Sequence, residues 1–321
     1  MNHRMEEEKK ETISDVDKQF CKIKETDSKA GIYNIAVSRN GQYVIGFSQH
    51  TVLIFDKYLN EINRLLKDRN MRTYAIGTNC IAYSMLYYGG IRVINILDES
   101  VYDISTGRRT PNAICFSKCG KYIAAGADGG YMFLWKLEEH KVTLVFEVRY
   151  DYDVDLFESI EFDMDSRVVV YLSDVFVYTI SIDDYRLLYK RESNERFTHV
   201  RFGKENKRIF LPTGATVNEY PNFNMKEVSN VYCVNVTETD SYSLINAFDC
   251  YKDGNYIMVA PSGYSETNVS GEAYIRMWDT NDQTKTRELV EIGKVHTFAL
   301  NPTMDVIYVV TPDGKIAMWA T

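Results

Sequence analysis

Five histidines, six cysteines and one run of closely spaced aspartates are the side chains of this 321-residue chain from which chemistry would be built. A metal centre needs three or more converging ligands. His3 lies in a charged N-terminal stretch and His50 and His140 fall where hairpin turns are expected, leaving His199 and His296 on core-facing strands. His199 with Glu161 and Asp249 could complete a ligand set, but an ordinary packed histidine is the simpler reading, and no metal is expected. Asp151-Tyr152-Asp153-Val154-Asp155 opens like a calcium loop yet lacks the glycine at its sixth position and the glutamate at its twelfth. It reads as an acidic connection able to attract a basic peptide. No nucleophile elbow, phosphate loop or dinucleotide fingerprint occurs, and Ser, Cys and His nowhere combine at a recognisable spacing. Neither a catalytic residue nor a cofactor is expected.

Composition narrows the class further. A net charge of −8 argues against a duplex-DNA binder, which needs clustered basic charge to release counterions. No apolar run approaches the roughly 20 residues of a spanning helix, and the first residues, MNHRMEEEKKET, are the opposite of an apolar leader. Cys21, Cys80, Cys115, Cys119, Cys233 and Cys250 are scattered with no CxxC pair, as expected of reduced thiols in the cytoplasm. There the sequons at Asn235 and Asn268 carry little meaning. Residues 1–16 read as a flexible polar tail and 17–321 as one folded unit.

The elements that must position these residues are strands. Tyr (24) and Phe (15) are abundant and suit a pleated, half-buried surface. Residues 112–137 read as strand, Gly turn, strand, Gly turn, strand: NAICFS-KCG-KYIAAGA-DGG-YMFLWKL. The same order recurs at 33–56, 198–220 and 295–319, with degenerate copies at 73–96, 156–182 and 244–279. A fourth strand is visible after several copies, as at Val142–Val148 and Tyr185–Arg191. Seven copies at about 40 to 50 residues each is the period of a four-stranded propeller blade. The last copy ends on its third strand at Trp319, and Lys18–Lys24, ahead of the first copy, alternates like a strand. It is expected to complete the last blade and clasp the ring, since an open sheet edge must be covered.

Alignment of the first strands gives one apolar face: Ile35/Val37, Tyr74/Ile76, Ile114/Phe116, Ile160/Phe162, Val200/Phe202, Phe248/Cys250 and Phe298/Leu300. The opposite face is small in most copies, as in Ala36, Ala75, Cys115 and Ala299. Three consecutive copies instead place Glu161, Arg201 and Asp249 there. Buried charges must pair, so Arg201 is expected to bridge both carboxylates between blades.

Trp135, Trp278-Asp279, Trp319 and the Ser-x-x-Gly turns at Ser38–Gly41 and Ser117–Gly120 carry a resemblance to WD40-repeat propellers from about residue 18 onward. No Gly-His dipeptide precedes a first strand, and a literal Trp-Asp occurs in one copy. The resemblance implies an all-β, seven-bladed WD40-like β-propeller closed by an N-terminal strand. It also implies an intracellular scaffold or adaptor that binds a protein or peptide on its face and channel mouth, as a subunit of a larger complex or alone. Expected partner contacts lie on the rim of blade-to-blade connections at Arg72, Arg108, Arg109, Tyr150, Asp151, Asp153, Arg196 and Tyr232, because arginine and aromatic residues make good anchors. Residues 262–272 add a polar loop suited to specificity. Gly107-Arg108-Arg109 resembles the lipid-binding motif of phosphoinositide-binding propellers, but at a different place in the blades and without the preceding aromatic; it reads as a solvated turn or a contact for an acidic partner. The alternatives are a metal-dependent propeller hydrolase or lactonase, and a phosphoinositide- or RNA-associated propeller that the acidic charge disfavours.

Overall fold

The computed structural model describes residues 18–26, 30–66, 71–85, 89–138, 141–150, 154, 156–174, 176–192, 197–203, 206, 208–214, 216–221, 225, 227–233, 244–252, 254–262 and 273–321. Among them are seven four-stranded antiparallel sheets and one two-stranded pair. Blade 3 shows how the sequence produces a sheet. Its strands are Pro111–Phe116, Tyr122–Ala127, Tyr131–Glu138 and Lys141–Arg149, in that order from the axis outward. Ser117 turns the first strand into the second: Gly120 N–H donates to the Ser117 carbonyl at 3.0 Å while Ser117 Oγ accepts from Tyr122 N–H at 2.9 Å. Ser38 repeats both bonds in blade 1, at 2.8 Å from Gly41 and 2.9 Å from Tyr43. Asp163 does so in blade 4 with a carboxylate in place of the hydroxyl, accepting from Val168 N–H at 2.9 Å. These are local side-chain turns of the kind that Ser and Asp favour.

The inner strands are Ile32–Val37, Met71–Ile76, Pro111–Phe116, Phe157–Phe162, Arg201–Phe202, Leu244–Tyr251 and Thr297–Leu300. In five of them the register shifts near the first residue, as between Pro111 and Ala113 or Phe157 and Ser159. Such a bulge adds local twist and aims the strand into the ring. All inner strands run the same way, from an upper face, where the chain crosses between blades, to a lower face bearing the first hairpin turns. The hydrophobic core is divided accordingly into seven clusters, one at each seam between neighbouring blades.

The ring closes as the terminal copies require. Cys21–Glu25 pairs antiparallel with Ile316–Ala320, with Cys21 opposite Ala320 and Glu25 opposite Ala317. The strand starts three residues later than Lys18–Lys24 suggested. Phe20 leaves the ladder to bury itself, 1% exposed, in the seam between blades 6 and 7. Thr26 continues the clasp, donating its N–H to Ile316 O at 2.8 Å and accepting from Ile316 N–H on Oγ1 at 3.0 Å. Lys315 Nζ lies 3.1 Å from Glu25 Oε1.

Three placements differ from the sequence reading. His199 and His296 precede their inner strands instead of lying in them. In blade 5 the continuous ladder covers Arg201–Phe202 opposite Ile209–Phe210 and is interrupted at Pro212, which has no N–H to donate. Pairing then resumes with Thr198 N–H on the Pro212 carbonyl at 3.1 Å and Phe197 opposite Thr213. The outer strand of blade 4 begins at Leu187, since Tyr185 takes a left-handed turn conformation with φ 57°. His50 lies in the turn between the second and third strands of blade 1. His3, His140, the tail 1–16, both sequons and the loop from 263 to 272 lie outside the described residues.

Candidate functional site

Strand register brings seven residues to one level of the central channel: Ala36, Ala75, Cys115, Glu161, Arg201, Asp249 and Ala299. Each faces the second strand of its own blade, at Ile45, Ala82, Ala124, Val170, Phe210, Met258 and Tyr308. The wall is therefore uncharged from blade 7 through blade 3 and charged from blade 4 through blade 6. Arg201 Nη1 lies 3.5 Å from Glu161 Oε2, and its Nε donates to Asp249 Oδ1 at 3.2 Å. Arg201 also donates to the Val200 carbonyl at 2.9 Å. Lys118 Nζ, from the first turn of blade 3, approaches Glu161 Oε1 to 2.9 Å.

Burial would raise the Glu161 carboxyl, but the charges of Lys118, Arg201 and Arg39 outweigh it and hold the group below its ordinary range. Burial likewise works against the Arg201 cation, and Asp249 with Glu161 more than restores it. His199 is pushed down to about 4, first by burial and then by the Arg201 charge. A neutral imidazole therefore lines the channel just before the inner strand of blade 5, next to Thr198 Oγ1 at 3.1 Å. Burial drives the Cys250 thiol well up and the Cys80 thiol to about 11, so neither is a nucleophile at neutral pH. Among the described residues no group of three or more His, Cys, Asp or Glu could hold a metal ion. The set of His199, Glu161 and Asp249 is not such a group, and Arg201 between the carboxylates repels a cation.

The channel is a cavity of about 790 Å³ lined by residues of all seven inner strands and by first-turn residues of the lower face. Basic residues placed just after the turn-opening position guard its lower mouth: Arg39, Lys118 and Lys252. Sequence reasoning does not single them out, although their common position after Ser38, Ser117 and Tyr251 is visible once the copies are aligned. Lys252 Nζ pairs with Asp305 at 3.3 Å.

On the upper face, Arg108 is exposed in a left-handed turn with φ 71°. The Arg109 guanidinium stacks 3.5 Å from the Tyr131 ring centre and reaches Glu147 Oε1 at 3.1 Å. Arg149, directly opposite Tyr131 across the ladder, places its guanidinium 5.5 Å from the same ring. Tyr150 stacks on Tyr178 at 6.0 Å, and Lys190 lies 4.1 Å over Phe176. Cations and rings thus alternate around the upper corner of blades 3 and 4. Tyr131, Arg149, Phe176 and Lys190 are additions to the residues expected from sequence, and cross-strand pairing is the signal that finds them.

Tyr232 requires a correction. It lies in the outer strand of blade 5, is 2% exposed, and donates its hydroxyl to Glu219 Oε2 at 2.6 Å. Glu219 is itself buried and also accepts from Asn230 Nδ2 at 2.9 Å. Ring and hydroxyl are spent inside the ring, so Tyr232 offers nothing to a partner. Arg72 falls in the inner strand of blade 2, Met71–Ile76, and its side chain lies outside the described residues, as do Asp151, Asp153 and Arg196.

The WD domain, G-beta repeat family model matches residues 101–136, which span the outer strand of blade 2 and most of blade 3. No curated protein shows significant sequence similarity to the chain. Among solved structures, the β-propeller domain of Myceliophteria thermophila Cps50 (Swd1) superposes with a TM-score of 0.72 at 10% identity, covering 93% of this chain and 99% of that one. The chain is a seven-bladed β-propeller, and one stretch of it, residues 101–136, is similar to the WD40 repeat.

Proposed function

We propose that this propeller is a cytoplasmic protein-interaction module, a rigid adaptor whose partner seats on the upper rim between blades 2 and 4. The observation that carries the reading is the alternation of Arg109, Tyr131, Arg149, Tyr150 and Phe176 around one corner, beside the exposed Arg108. Arginine and tyrosine dominate the energetics of protein interfaces because they combine large apolar area with directional polar groups. Here they are also pre-ordered by stacking, which lowers the entropic cost of binding. Six free cysteines suit a reducing compartment.

Quantitative crosslinking of the tagged chain in its native lysate tests this. A stoichiometric partner should be recovered by the wild type and lost, by about thirty-fold or more for a hot-spot pair, in Arg108→Ala/Arg109→Ala. Undiminished recovery by that variant, with its thermal stability unchanged, would sink the reading.

A further inference from the structure

The lower mouth of the channel is a separate site, and we infer that it receives an acidic segment of a partner protein, a carboxylate tip on an aliphatic stem. Arg39 is the reason. It springs from the first turn of blade 1 and spans blade 2 to reach blade 3, where Nη2 donates to the Phe116 carbonyl and lies 3.3 Å from Cys115 Sγ. The turn of blade 2 that it passes opens on Gly77, a position with no room for a side chain, since a Cβ would meet Cys80 Sγ at 2.6 Å and the Phe116 ring at 3.4 Å. Arg39 N–H also donates to Gly77 O at 3.2 Å, so the strut is fixed at both ends.

This strut holds a guanidinium at the mouth with no carboxylate within ion-pair distance among the described residues, and its Nε is buried without a hydrogen-bond partner. A buried donor left unpaired costs stability until an acceptor arrives. Around it the other cations of the cavity wall are paired: Lys118 and Arg201 with Glu161, Arg201 also with Asp249, and Lys252 with Asp305. Arg39 thus differs from Lys118, Arg201 and Lys252 in having no ion pair among the described residues, and with Lys118 it flanks the same segment, Cys115–Phe116.

The wall on the side of blades 1 and 2 supplies the other half of the recognition. Ala36 and Ala75 line it with methyl groups at the level where blades 4 to 6 carry charge. An incoming glutamate would set its carboxylate between Arg39 and Lys118 and its methylenes on the alanines. A cavity of about 790 Å³ lies within the range of sites that enclose a ligand of this size. The chain's net charge of −8 repels an acidic segment at long range, so attraction acts only over the last Debye length, about 8 Å at physiological salt.

Fluorescence polarisation with the full chain tests the inference, using a labelled peptide of alternating glutamate and leucine and a glutamine–leucine control. The glutamate peptide is expected to bind, at least ten-fold tighter than the control, and to weaken as salt rises. Arg39→Gln and Lys118→Gln should each weaken it by about ten-fold or more, as loss of a charge-assisted hydrogen bond does, while Arg39→Lys retains part of the affinity. Lys118 lies on an exposed turn, so its variant carries the test if Arg39→Gln unfolds. Equal binding of both peptides, no binding, or wild-type affinity in Lys118→Gln overturns the inference. So does full displacement by millimolar inorganic phosphate with no discrimination between the peptides. Arg108→Gln on the upper rim should leave this binding unchanged, which keeps the two sites' tests independent.

Discussion

Removing Arg201 asks whether the charged sector of the channel holds itself together or merely tolerates its charges. Arg201→Ala strips Glu161 of one cation and Asp249 of the cation it contacts. Breaking a buried ion pair from one side costs about 3–5 kcal/mol, because a charge stays behind. The two arms are unequal. The Glu161 side chain is 10% exposed and the Asp249 side chain 33%, so the Asp249 arm is partly hydrated and contributes little more than a surface pair. The lower end, about 3 kcal/mol, is therefore expected in equilibrium urea unfolding. The triple variant Glu161→Ala/Arg201→Ala/Asp249→Ala should recover most of the loss, to within about 1.5 kcal/mol of wild type, since replacing a whole buried ion set is often near neutral. Blades 1, 2 and 7 already carry alanine at that register. The deficit of Arg201→Ala should also shrink on acidification. Glu161 has a folded pKa below its ordinary value, so its contribution is complete above about 4.5 and fades as pH falls through the folded pKa. A triple variant no more stable than Arg201→Ala, or a deficit that grows toward low pH, would refute the reasoning.

Three further outcomes are expected. Phe20→Ala should destabilise the ring by about 3–5 kcal/mol, the usual cost of emptying a buried phenylalanine site, and make the segment before Thr26 cleavable in limited proteolysis; wild-type resistance would mean that Phe20 does not anchor the clasp. Tyr232→Phe should cost about 1–2 kcal/mol in unfolding, by depriving buried Glu219 of a donor, and leave partner recovery unchanged; a selective loss of the partner would return Tyr232 to the interface. His199 is held neutral with its pKa near 4, so the unfolded chain takes up a proton first as pH falls from about 6.5. Stability should drop by on the order of 3 kcal/mol across that window, and His199→Gln should flatten the slope; an unchanged slope would show that other groups carry it.

The fold is legible in the chain because a blade is a short-range object. Each hairpin is written locally, by Ser117 and Gly120 or Ser38 and Gly41, and by alternation that sends Ile114 and Phe116 one way and Ala113 and Cys115 the other. Repetition multiplies a weak local signal seven times. Irregularities are less legible because they depend on a facing strand. Pro212 interrupts the blade 5 ladder from across the sheet, and Phe20 is drawn out of the strand by a seam to which blade 6 contributes most of the walls.

The sites divide along the same line. Glu161, Arg201 and Asp249 stand out from sequence because the neighbouring copies hold alanine or cysteine in register, and a departure from a repeat is visible without coordinates. Arg39 has no such contrast. Its chemistry arises from a reach across blade 2, where the Gly77 carbonyl accepts the Arg39 N–H, to the Phe116 carbonyl of blade 3, and these three residues lie more than 35 positions apart in the chain. Tyr232 errs in the opposite sense: an aromatic near a connection suggests a rim anchor, but the outer strand turns its ring inward onto Glu219. In a repeat protein, then, a residue's own type predicts its partner poorly at the boundaries between blades. Comparison with the equivalent position in the next blade does better, because the seam is the only environment that each blade shares with its neighbour.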